Sequence, residues 1–243
     1  MRAGALSPSN ENIKEEGCAR LPRVVMFNEI SVDGRIDGFS VDMGRYYGLA
    51  ARWEADAMLS GSNTLIDAYG PEQSLEDDPS AFEPPSREPE DSRQLLVVAD
   101  SRGRLRSWHR LRKEPYWRDV IALCSRATPQ SALEALRARH VETIVAGAEQ
   151  VDLRTALEEL NARHGVELVR VDSGGTLNGA LLCAGLVSEV SVLINPCLVG
   201  GATPGTIFRA PDPAAPGDLI PLKLIHLELV TDDAVWLRYE VVG

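Results

Sequence analysis

The residues best suited by type and spacing to chemistry lie in VELVRVDSGGTLNGALL. There an apolar run ends in Asp172, Ser173, Gly174, Gly175 and Thr176 and passes at once into a second apolar pattern. A strand that ends in glycines and becomes a helix presents the unpaired N–H groups and positive dipole end of that helix, and the glycines admit a phosphate close to the backbone. Such spacing offers anion binding, although an ordinary tight strand-to-helix turn would use the same residues. The stretch has neither the G-x-G-x-x-G of a dinucleotide fingerprint nor the Gly-Lys-Ser/Thr ending of a Walker A loop. Asp172 is suited either to hydrogen-bond a ligand's ring or ribose or to cap the helix that follows.

Other reactive types are dispersed. Arg35, Arg45 and Arg52 have the chemistry to clamp a phosphate bidentately, while arginines on a helix surface are usually solvated or paired. His109, His140, His164 and His226 are unclustered and no G-x-S-x-G occurs, which disfavours a hydrolase triad. Cys18, Cys124, Cys183 and Cys197 form no C-x-x-C pair and have no histidine at zinc-ligand spacing, so buried free thiols are expected and no metal. Trp53, Trp108, Tyr116 and Trp117 are read as packing.

The elements that must position these residues alternate along the chain. LPRVVMFNEISV reads as a buried strand leaving through a turn at Asp33 and Gly34. From Met43 to Leu59 an apolar stripe of Tyr46, Leu49, Ala50, Trp53 and Ala57 predicts a helix. DAMLSG is a short strand, and SNTLIDAYG is a turn opening a helix with Ser62, Asn63 or Thr64 as its cap. LLVVAD follows as a strand, and VIALCS, VETIVAG and VELVRVDSG as strands separated by helical patterns, which implies right-handed crossovers and a largely parallel sheet. EVSVLINPCLVGG and LKLIHLELVTDDAVWLRYEVV complete the sheet, the latter as a hairpin turning at Asp232 and Asp233. Residues 1–21 read as a flexible arm, 22–243 as one domain, and 70–94 as a mobile acidic, proline-rich loop.

The 243 residues carry a formal charge of −11, which argues against nucleic acid or anionic membrane as partners. At 44% hydrophobic and 25% charged, the composition is that of a folded globular protein. The absence of an apolar run of roughly 18 residues, or of a signal-like start, predicts a cytoplasmic protein.

Two separated blocks, SVDGRI at 31–36 and VDSGGTLNGALLCAGLVSEVSVLINPCLVGG at 171–201, resemble the riboflavin-biosynthesis reductase domain, a relative of dihydrofolate reductase. RWEADAMLSGSNTL at 52–65 and LLVVADSRGRL at 95–105 are similar to further segments of that family, in the same order. The resemblance implies a three-layer α/β/α fold with a central mixed, mostly parallel sheet. It also implies NADPH as cofactor and hydride transfer to the ribosyl C1′ of a ribosylaminopyrimidine 5′-phosphate, opened as an imine or its equivalent.

Carried over, it assigns Thr64, Ser101, Gly174, Gly175, Thr176 and Leu177 to the cofactor, Arg52, Asp172 and Asp33 to the substrate, and homodimerisation to the last strands. A proton donor is not assigned; Asp42 and Asp172 are the candidate carboxyls, with a water as the alternative. The family's Ser-x-Trp-Ile segment after the D-G turn is replaced here by DGFSVDMGRYYG. That departure keeps open a same-fold NADPH reductase for another pterin-like or carbonyl substrate. A nucleotide-binding scaffold without turnover is the non-enzyme alternative.

Overall fold

The computed structural model describes residues 20–69, 79–86, 90–201, 205–212 and 219–242. Nearly all of the expected arm, and residues 70–78 and 87–89 of the expected loop, lie outside them.

The first strand, β1 (Arg23–Ser31), is buried on both faces from Val24 to Phe27, as an interior parallel strand must be. It is followed by α1 (Met43–Ala50), β2 (Ala57–Gly61), α2 (Ser62–Tyr69), β3 (Gln94–Ala99), α3 (Trp108–Lys113), β4 (Trp117–Cys124), α4 (Gln130–Ala138) and β5 (Glu142–Val145). Then come α5 (Leu153–His164), β6 (Leu168–Val171), α6 (Gly175–Cys183), β7 (Glu189–Asn195), β8 (Leu222–Leu229) and β9 (Val235–Val241). The strands form one sheet in the order β5-β4-β3-β2-β6-β1-β7-β9-β8, parallel except for β9 against β7 and β8 against β9.

Alternation along each strand sends residues to two layers of helices. Val24 and Met26 of β1, Leu59 of β2 and Val97 of β3 join Leu157 and Leu160 of α5 and Leu181 of α6 in one core. On the opposite face Val25 and Phe27 pack with Tyr46 and Leu49 of α1 and with Trp53. Leu96 and Val98 pack on that same face with Trp108 and Leu111 of α3 and Leu136 of α4. The expected three-layer α/β/α arrangement is therefore present. Each fully buried Leu or Phe contributes roughly 1.5–3 kcal/mol to it.

Some local expectations change. The helix read from Met43 to Leu59 stops at Ala50, tightens into a 3₁₀ turn over Ala51–Trp53 and ends where Glu54 takes a left-handed conformation. Ala57, the last residue of the predicted stripe, begins β2; its burial belongs to a strand. The short helix α3 was not predicted. Its Trp108 and Leu111 are core residues, and Trp53 and Trp117 are buried as read, but Tyr116 is exposed. Of the thiols, Cys124 is buried, its pKa pushed up to about 11 chiefly by that burial, whereas Cys183 is exposed. Cys18 lies outside the described residues. The hairpin turns where expected, with Asp232 and Asp233 both left-handed.

Candidate active site

Because β1 to β7 run the same way, their C-terminal ends share one edge of the sheet. β6 is inserted between β1 and β2, although β1 and β2 are consecutive in sequence. Such a reversal of strand order opens a crevice outside the strands' carboxyl ends, where open α/β sheets bind ligands.

The glycine turn and the threonine turn meet there. The Ser173 hydroxyl accepts a hydrogen bond from the Gly61 N–H (3.1 Å) and lies 3.3 Å from Thr64 Oγ1, to which the Gly174 N–H donates (3.3 Å). Gly174 is the N-cap of α6 and makes no side-chain cap, so the first N–H groups of that helix, on Gly175, Thr176 and Leu177, are those that lack intrahelical acceptors. Ser101 lies in the turn after β3, the strand beside β2, and is fixed through both its polar oxygens. Its Oγ accepts from the Val151 N–H (3.0 Å) and its carbonyl from the Thr128 hydroxyl (2.8 Å). The cofactor candidates thus border one stretch of the edge.

Beneath them sits a buried network that the sequence reading missed. Asn28 on β1 donates to the Ser173 carbonyl (2.8 Å), and Asn178 on α6 donates to Asn28 Oδ1 (2.9 Å) and to the same carbonyl (3.2 Å). It pins the glycine turn from below. The available signal was an asparagine inside an apolar strand, costly to bury without partners.

The glycines also have a task within the chain. A Cβ built at Gly175 would collide with the Thr206 carbonyl and come within 2.8 Å of Arg209 Cγ, and one at Gly179 would overlap the Arg209 carbonyl. The Arg209 N–H donates to the Gly175 carbonyl (3.0 Å), so residues 206–209 lie as a strap across the start of α6.

Asp172 follows β6 on the face covered by α1. It is half-buried, with Arg170 Nη1 at 3.3 Å; burial raises its pKa, and the Arg170 charge and the Tyr46 hydroxyl oppose the rise. Arg52 is not beside it. In the 3₁₀ turn after α1 it pairs with Glu228 of β8 (2.9 Å) and stacks over Trp236 of β9 (4.8 Å). Three strands, β1, β7 and β9, separate β6 from β8, so Asp172 and the ion pair of Arg52 lie well apart across the sheet. The other arginines are also paired: Arg35 with Asp37 (3.3 Å), and Arg45 with Glu29 (2.8 Å).

The two remaining acids serve the backbone. Asp42 caps α1 through the Arg45 N–H (3.0 Å). Asp33 accepts from the Ser31 hydroxyl (2.5 Å) and from the N–H groups of Val199 (3.1 Å) and Gly200 (2.7 Å), joining the D-G turn to the loop after β7. The Ser31 bond first, then those two amides, draw its pKa from an ordinary 3.8 to about 2. A lowered carboxylate pKa stabilises the fold above the unfolded value, and that contribution disappears as pH falls through the folded value. Asp33→Ala should therefore lower Tm at neutral pH, and the deficit should vanish between about pH 4 and pH 2. A difference in Tm that does not vary with pH would show that the carboxylate charge is not what the turn uses.

Residues 22–236 match the RibD C-terminal domain family. The 2,5-diamino-6-ribosylamino-4(3H)-pyrimidinone 5′-phosphate reductase of Methanothermobacter thermautotrophicus is 31% identical over 230 residues, covering 91% of this chain and 99% of that one. The enzyme of the same name from Archaeoglobus fulgidus is 30% identical over 156 residues, 64% of this chain and 68% of that one. Among solved structures, a pyrimidine reductase-like protein of Corynebacterium diphtheriae superposes with a TM-score of 0.70 at 16% identity, covering 91% of this chain and 92% of that one. RibD of Acinetobacter baumannii superposes with a TM-score of 0.65 at 20% identity, covering 91% of this chain; the chain spans only 58% of its length. These last two likenesses establish the fold.

Proposed function

The chain belongs to the RibD C-terminal domain family, and from that premise we propose that it is an NADPH-dependent reductase of a ribosylaminopyrimidine 5′-phosphate in riboflavin biosynthesis. The carrying observation is the likeness to the Methanothermobacter reductase, which spans almost the whole of that enzyme. The name of that relative favours the 2,5-diaminopyrimidinone over its deaminated counterpart as substrate.

The residues present fit a nicotinamide dinucleotide. The N–H groups opening α6, beside the hydroxyls of Thr64 and Ser173, form a cradle of donors for phosphate oxygens, with Ser101 farther along the same edge. When bound, the cofactor supplies the hydride. The Asn28–Asn178 network keeps the α6 cradle in place, and the strap at 206–209 covers its flank. Asp172, beside the glycine turn but on the α1 face, is assigned to the substrate, where its carboxyl has the acceptors for ring or ribose donors. Preorganised groups of this kind place the acceptor carbon near the donor and keep water out.

Purified protein supplied with NADPH and the diaminopyrimidinone phosphate should oxidise the cofactor and yield the ribityl product. Cofactor binding without turnover on either the diamino or the deaminated pyrimidine would overturn the assignment and favour another substrate, in keeping with the divergent DGFSVDMGRYYG segment.

Homodimerisation over the outer strand belongs to the same reading. Leu222, Leu224, Leu227 and Leu229 of the edge strand β8 are all exposed, the last two at 65% and 70%. An edge of this kind needs cover. Light scattering should give a dimer at micromolar concentration for the wild type and a monomer for Leu227→Glu; a monomeric wild type contradicts the assignment.

A further inference from the structure

Glu29 lies near the end of β1 with its side chain only 2% exposed. One carboxylate oxygen, Oε1, accepts from Arg45 Nη2 (2.8 Å) and Asn195 Nδ2 (2.6 Å); the other, Oε2, is buried and has no hydrogen-bond partner among the described residues. A buried carboxylate left half-satisfied is costly, and an apolar side chain would fill such a strand position without that cost.

Its two partners show what the carboxylate gathers. Arg45, in the first turn of α1, also donates to the Thr231 carbonyl (3.4 Å) and lies 3.7 Å from Asp232 at the tip of the β8–β9 hairpin. Asn195, at the end of β7, also reaches the Ser40 carbonyl in the segment before α1 (3.4 Å). The residue after Arg45 is Tyr46, whose hydroxyl donates to the Phe27 carbonyl (3.0 Å) and whose ring stacks on Phe27, on the face of the sheet to which Arg170 and Asp172 belong. A single carboxylate therefore ties β1 to α1, β7, the pre-helix segment and the hairpin, on the face that carries Asp172.

We propose that Glu29 is a positioning residue: by holding Arg45 and Asn195 it fixes the first turn of α1, and with it Tyr46, against the substrate-facing Asp172. This rests on the reading of Asp172 as a substrate contact.

The test is Glu29→Gln and Arg45→Gln in the full chain, with NADPH and the diaminopyrimidinone phosphate. KM for the pyrimidine should rise at least about tenfold, with kcat within about threefold of wild type and NADPH affinity unchanged. Glu29→Asp, which keeps the charge, should recover part of the loss. An unchanged KM accompanied by a lower Tm would reduce Glu29 to a structural role and overturn the proposal.

Amide hydrogen exchange in the ligand-free protein separates this result from failure of the substrate assignment. In Glu29→Gln, exchange at residues 45–47 and 231–234 should quicken at least about tenfold while α5 stays protected. Wild-type exchange there overturns the positioning role whatever the enzyme reduces. Quickened exchange with a wild type that binds NADPH but leaves the pyrimidine unreduced supports the positioning of α1 and overturns the substrate assignment instead.

Discussion

Asp172→Asn should lower kcat/KM for the ribosylaminopyrimidine phosphate at least about thirtyfold, corresponding to roughly 2 kcal/mol, with NADPH affinity little changed. The carboxyl stands half-buried beside the glycine turn, where a lost charge-assisted hydrogen bond to a ligand costs roughly 2–5 kcal/mol, against about 0–1 for a solvated surface group. The substitution preserves shape and removes charge. It also leaves Arg170, only 2% exposed, without the anion that faces it, so the fold must be monitored by Tm alongside the kinetics. Arg52→Met is the informative control: ion-paired with Glu228 and stacked on Trp236, Arg52 should cost at most a few-fold in kcat/KM. Wild-type efficiency in Asp172→Asn would show the carboxylate to be a partner of Arg170 alone. A large loss in Arg52→Met would return Arg52 to the substrate site.

The second large effect is expected at the start of α6. Gly175→Asp introduces both bulk against Thr206 and Arg209 and a negative charge among the N–H groups assigned to phosphate; Gly179→Ala introduces only bulk, against the Arg209 carbonyl. Both substitutions should displace the strap at 206–209 and make it more accessible to proteolysis. NADPH affinity should fall at least about tenfold in Gly175→Asp, and distinctly less in Gly179→Ala. Equal losses would mean that the strap, and not the helix terminus, carries the binding. Unchanged affinity in Gly175→Asp, with the fold retained, would remove the glycine turn from the cofactor site.

Much of the fold was legible because its signals are local. Unbroken apolar runs such as LLVVAD and VIALCS are what a strand buried on both faces requires, and their alternation with helical patterns dictates parallel crossovers. The helix over 43–59 ran too long because a 3.6-residue stripe does not register where the backbone turns; the left-handed Glu54 ends it without a glycine or proline to announce the change. The meeting of Thr64 with the glycine turn followed from family resemblance, and the hydrogen bonds among Gly61, Thr64, Ser173 and Gly174 account for it physically.

Long-range partners were not legible. Nothing in the spacing around Arg52 places it opposite Glu228, and nothing in GGTLNG says that its glycines make room for a segment some thirty residues farther on. Glu29 could have been noticed as a charge inside an apolar strand, but its partners Arg45 and Asn195 lie on separate elements and become neighbours only through the sheet order.

The insertion of β6 between β1 and β2 also sets an order of assembly. Strands β2, β3, β4 and β5 are adjacent both in sequence and in the sheet, so they can pair as the chain is made. β1, made first, has only β6 and β7 as neighbours, Arg23 lying beside Leu168 and Val25 beside Glu189. Its two hydrogen-bonding edges must wait for the last third of the chain, and non-local pairing of this kind folds slowly and leaves open edges that invite aggregation. The edge that brings Asp172, the glycine turn and Thr64 together can consequently close only once β6 has been made, after β2 to β5. A chain cut before β6 would lack both partners of β1 and the strand that carries Asp172 into the glycine turn.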